Sequence, residues 1–173
     1  MIKKISIKHL SILSVTFIVF TVIGTLSHEY GHIAVAKYYG YDTQLHFSSM
    51  SYEPGILADH LTQIYETNKI EIESGQDFEG KIEFEEGLQE FNNRALLIKI
   101  GGPVQTIVTG TLGLLILVFR KKSIKAKGLS GLDWLAVFLC LFWLREIFNL
   151  SMSVLEEIII PNGRWFGGDE YYI

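Results

Sequence analysis

The chain has 173 residues, 49% of them hydrophobic and 13% aromatic, with a net charge of −4 and one cysteine, Cys140. A single cysteine excludes a disulfide framework and a cysteine metal site. Nor is this the composition of an ordinary water-soluble domain, because the apolar residues are gathered into long uncharged runs: Leu10 to Leu26, Ile100 to Phe119 and Trp134 to Leu144.

A spanning helix needs about 20 mostly apolar residues. The runs therefore predict three transmembrane helices, over about 9–39, 97–119 and 132–160, in one membrane-embedded domain covering 1–173. The first is expected to run unbroken to Tyr39 and stop at Gly40, a residue suited to a helix C-terminus. A basic start and an apolar stretch also fit a secretory signal peptide. No small-residue cleavage site follows, however, and the apolar pattern resumes at Ile33-Ala34-Val35-Ala36. The helix is therefore read as retained.

Between the first two helices lies an insertion, 40–94, holding twelve acidic residues against Lys69, Lys81 and Arg94. Ile56 to Thr67 reads as a short helix. Ile70-Glu71-Ile72-Glu73 and Lys81-Ile82-Glu83-Phe84-Glu85 alternate apolar with charged residues, which predicts either an acidic β-hairpin or a solvated loop. The second helix is expected to open at Gly101-Gly102-Pro103, since proline suits a first helical turn. Thr106, Gly110 and Gly113 then share one face, and small residues at that spacing let membrane helices approach closely. Gly128 and Gly131 precede the third helix, and Pro161-Asn162-Gly163 ends it.

The charges orient these elements. Lys3, Lys4 and Lys8 precede the first helix, and Arg120, Lys121, Lys122, Lys125 and Lys127 join the second to the third. The positive-inside bias then puts the N-terminus and the 120–127 loop in the cytosol. The acidic insertion and the C-terminus fall outside. The fold expected is thus all-α and transmembrane, a three-helix core with an acidic, partly structured extracytosolic insertion.

The first helix carries the chemistry. In His28-Glu29-Tyr30-Gly31-His32 the histidines are four residues apart and project from one helical face. Two imidazoles so placed can bind one Zn²⁺, with Glu29 as general base on a metal-bound water. Ionisable groups inside a spanning helix are costly, and their default reading is functional. Gly31 would leave room for a neighbouring helix or a substrate. Arg145, Glu146 and Asn149 form a second polar group within a span, suited to supporting the site or to a structural ion pair. His9, His46 and His60 have no partner at ligand spacing.

Taken together, His28-Glu29-Tyr30-Gly31-His32 in a first core helix, Gly101-Gly102-Pro103 in the next and Phe148-Asn149-Leu150 in the third resemble the site-2 protease family of intramembrane metallopeptidases. The resemblance covers the three-helix core. It implies zinc-dependent hydrolysis of peptide bonds in membrane proteins, with one Zn²⁺ per chain as cofactor. The partners implied are a membrane-protein substrate and the lipid bilayer, with no nucleic acid. It further implies an aspartate ligand after the asparagine. Asp169 takes that part here, at a longer separation than is usual and followed by Glu170 instead of glycine. Glu146 is the rival third ligand. Gly101-Gly102 would offer bare backbone either to an unwound substrate strand or to helix packing. Two further functions fit the same residues: a catalytically silent relative that binds or escorts membrane proteins, and a zinc hydrolase of a non-peptide membrane substrate. By charge, the site would face the extracytosolic side.

Overall fold

A computed structural model describes residues 6–159. The chain is mostly helical. Helix α1 covers Ile7–Tyr38, followed by strands β1 (Asp42–Leu45) and β2 (Met50–Glu53). Helices α2 (Gly55–Thr67) and α3 (Lys69–Ser74) come next, then the long α4 (Lys81–Lys127), α5 (Gly131–Cys140) and α6 (Phe142–Ile159). Among the described residues three helical stretches are long and apolar enough to cross a membrane: α1, α4 and the 131–152 stretch of α5 and α6.

Helix α1 packs along α4, and α4 also carries α5 and α6. Their outer surfaces are oily. Phe17, Ile18, Val108 and Val118 are each more than half exposed. Several of the buried positions are instead polar, including His28, Glu29, Thr106, Asp133 and Glu146. A water-soluble bundle would show the reverse, whereas a bilayer solvates the apolar outside and leaves polar groups to pair within.

Small residues bring the helices together. At Gly31 an added Cβ would lie 2.4 Å from the Gly101 carbonyl oxygen, and one at Gly101 would lie 2.6 Å from that of Gly31. Backbone therefore meets backbone where α1 crosses α4. Lower on α4, Gly110 faces the Trp143 ring and Gly113 faces the backbone of Ala136 and Cys140. At the α4–α5 turn, Nε of Arg120 donates to Oδ1 of the buried Asp133 at 2.5 Å. Ser130 and Asp133 cap the start of α5 reciprocally.

Three expectations from sequence need correction. Gly101-Gly102-Pro103 does not open the second helix; it lies inside α4, which begins twenty residues earlier at Lys81. Pro103 brings no N–H to the helical ladder, yet the helix continues through it. The alternating segments are not a hairpin. Residues 69–74 form α3 and residues 81–85 form the first turn of α4. Phe84, Leu88 and Phe91 recur at helical spacing and gather beside Ala58, Leu61 and Tyr65 of α2. The hairpin of this insertion is β1–β2, paired antiparallel with Thr43 opposite Tyr52 and stacked through Tyr41 on Tyr52. Finally, the third span is interrupted at Leu141, whose N–H reaches both Val137 and Phe138 carbonyls. That local tightening resets the helix so that Phe142 faces Gly24 and Trp143 faces Gly110.

Candidate metal centre

His28, Glu29 and His32 stand on α1 in its crossing with α4, and all three are buried. Helical spacing puts the two imidazoles on one face, and their ring centroids are 4.9 Å apart. Opposite them is Gly102. A Cβ built there would stand 2.3 Å from Nε2 of His32 and 2.6 Å from Nε2 of His28. Both Nε2 atoms are therefore aimed at one small volume that any side chain at 102 would fill.

The other ring nitrogens are anchored. Nδ1 of His32 lies 2.7 Å from the Ile98 carbonyl oxygen. That oxygen can only accept, so Nδ1 donates. The Gly102 N–H also approaches this nitrogen, at 3.3 Å; a nitrogen that donates cannot accept as well, and the shorter contact decides. Nδ1 of His28 lies 2.8 Å from Thr106 Oγ1, whose own hydroxyl donates to the Gly102 carbonyl at 3.1 Å. The Thr106 oxygen is thus the acceptor and Nδ1 of His28 the donor. Fixing the proton on Nδ1 in both rings makes Nε2 the basic nitrogen in both. This is how metal-binding histidines are held: the distal N–H is bound to a carbonyl, hydroxyl or carboxylate and the ring cannot turn.

The chain matches no family model, no curated protein and no solved structure.

The remaining site candidates divide by geometry. Glu146 is buried, and Oε1 lies 3.6 Å from Nδ1 of His28. It approaches that ring from the anchored side, away from the direction in which Nε2 points. Arg145 lines a cavity between α1 and α6. Asn149 is half-buried one turn further along α6. Gly101 packs on Gly31, and Pro103 is buried in the same crossing. The bare backbone at Gly101 is thus in contact with α1. Asp169 lies outside the described residues. Among the described residues no group of three His, Cys, Asp or Glu side chains is gathered as a metal would require. The histidine pair supplies two donors only.

Sequence reasoning passed over three participants. From sequence Thr106 reads as a small packing residue, although it is a hydroxyl one turn after Gly102 and so able to reach its carbonyl. Ile98 acts through its backbone, which no side-chain pattern signals. Gln105 donates to Ser27 and, at 2.9 Å, to Thr109, pinning α4 to α1 beside the site. Elsewhere, His60 pairs with Glu83 at 2.9 Å and His46 with Ser51 at 3.2 Å, both exposed.

Proposed function

We propose that the chain is a zinc-dependent endopeptidase that hydrolyses peptide bonds of membrane proteins within or beside the bilayer. The observation that carries this reading is the convergence of two Nε2 atoms beside Gly102, each on a ring whose Nδ1 is hydrogen-bonded. Two histidines with an adjacent glutamate, buried together in an apolar span, need a compensating role, and metal hydrolysis supplies one.

In this reading His28 and His32 would hold the zinc through Nε2. When bound, zinc lowers the pKa of water to about 7 and polarises a carbonyl. Thr106 and the Ile98 carbonyl keep the two rings in register, and Glu146 places a carboxylate behind His28, 3.6 Å from its Nδ1. Glu29 takes the proton from the attacking water and passes it to the leaving amine. Gly102 keeps the volume between the imidazoles open. In this reading the third ligand is Asp169, the residue type that the resemblance implies, with Glu146 as its rival.

The reading is tested by Glu29→Gln in full-length protein reconstituted with single-span substrates. The variant should retain zinc and lose cleavage by at least about 100-fold, as removal of a general base does. Undiminished cleavage would refute the mechanism.

The charge bias places the N-terminus in the cytosol and the site towards the extracytosolic face. Cysteines introduced at Ser74 and Ser123, in a background lacking Cys140, report the orientation in intact cells. A membrane-impermeant reagent should label Ser74→Cys only. Labelling of Ser123→Cys alone would move the site to the cytosolic side.

A further inference from the structure

Next to the histidine pair, α1, α5 and α6 enclose a cavity of about 270 Å³. Its walls are aromatic, with Phe17 and Phe20 from α1 and Phe138 and Phe148 from α5 and α6. Phe20 and Phe138 stack at 4.9 Å. Two lining residues do not fit an apolar filler. One is Thr106, the same residue that accepts from Nδ1 of His28, so the cavity runs up to the site. The other is Arg145, the one charged lining residue among those described. Its buried Nη1 has no hydrogen-bond partner in the described residues, and Arg145 makes no ion pair among them.

A guanidinium inside a membrane span is stabilised only by an opposite charge or by hydrogen bonds. Here the fold brings it to the wall of an aromatic cavity, where its Nη1 meets neither among the described residues. The occupant that satisfies this site is therefore mostly apolar and carries one carboxylate, which guanidinium binds through paired N–H donors. Continuity through Thr106 with the histidine pair makes that occupant a segment of substrate in preference to a resident lipid. We propose that this cavity is a substrate subsite, selecting a stretch that presents a bulky apolar side chain next to a carboxylate. The inference rests on the metallopeptidase reading and specifies its substrate class.

The test is direct binding, independent of catalysis. The full chain carrying Glu29→Gln, in phosphatidylcholine nanodiscs, is exposed to leucine-rich single-span peptides bearing a benzoyl-phenylalanine photoprobe. The probe is followed in one peptide by glutamate, in a second by glutamine, and in a third by the peptide's own C-terminal carboxylate. The expected crosslinks fall on residues 17–25 of α1 and on α6. A carboxylate peptide should label about tenfold better than the glutamine peptide, the advantage of a charge-assisted hydrogen bond. Whichever of the two carboxylate peptides carries it identifies the source of the charge.

Arg145→Gln should erase that difference, and Arg145→Lys should keep part of it. Should Arg145→Gln misfold, Thr21→Trp fills the cavity from its lipid-exposed side and should block labelling while α1 still holds both histidines. Equal labelling by charged and uncharged peptides would overturn the proposal. So would displacement of the glutamate peptide by dodecanoate as effectively as by the unlabelled peptide, which would make the cavity a lipid site. The two readings fail separately. Selective labelling with no cleavage by the unsubstituted protein keeps the subsite and removes the peptidase, whereas cleavage without carboxylate preference does the opposite.

Discussion

Helix α4 meets both α1 and α5 through glycine, and these two contacts differ in what the missing side chain makes room for. Near its lower end, Gly113 leaves space for the backbone of α5, with the Ala136 carbonyl oxygen 2.7 Å from where a Cβ would be. The atoms met there are backbone and the Leu139 side chain, and the contact is packing. At the upper crossing, Gly31 and Gly101 bring α1 and α4 together in the same manner. The next residue, Gly102, faces two imidazole nitrogens instead of backbone. Close approach of helices and an open volume between histidines are thus produced by one run of small residues. A glycine pattern in a membrane helix therefore describes packing by default and a site only where polar side chains converge on it.

The sharpest way to break this comparison is a methyl group at each place. Gly102→Ala should weaken zinc retention by on the order of 100-fold or more, beyond the loss usual for a supporting residue, since the Cβ would stand between both Nε2 atoms. Helical content should not fall, because alanine favours helix over glycine. Gly113→Ala should leave zinc binding unchanged and cost about 1–3 kcal/mol of stability through overpacking. Zinc titration and thermal unfolding of the two variants in detergent check both halves. Equal zinc affinities would dissolve the distinction between the crossings.

A smaller effect is expected from Thr106→Val, which is nearly isosteric and removes the acceptor for Nδ1 of His28. Zinc affinity should fall about 10- to 100-fold, as for other partners of ligating histidines. An unchanged affinity would mean that Glu146, 3.6 Å from the same nitrogen, suffices to hold the ring.

Much of this arrangement was legible in sequence, for physical reasons. The i, i+4 spacing of His28 and His32 fixes a shared face in any helix, and α1 is long and uncharged enough to be recognised as one. Its end at Tyr38, two residues before Gly40 with its φ of 78°, follows the usual preference for glycine after a helix. Ile56 to Thr67 was found nearly to the residue. The start of α4 was not, because Ile82 and Phe84 with their glutamates imitate strand alternation over five residues, too few to separate the two periods. Only with Leu88 and Phe91 added does the helical repeat emerge. The break at Leu141 has no proline or glycine to announce it. It is visible only when Phe142 and Trp143 are seen against the glycines of α1 and α4. The anchoring of the two histidines was likewise hidden, since Ile98 contributes only its carbonyl and Thr106 differs from its packing neighbours by one hydroxyl.

The central claim is that these two histidines together hold a metal. Elemental analysis of purified full-length protein beside the double variant His28→Ala, His32→Ala tests it most directly. The account predicts about one zinc per chain in the first, as for a catalytic site of three protein ligands and water, and none in the second. Full zinc occupancy in the double variant would contradict it.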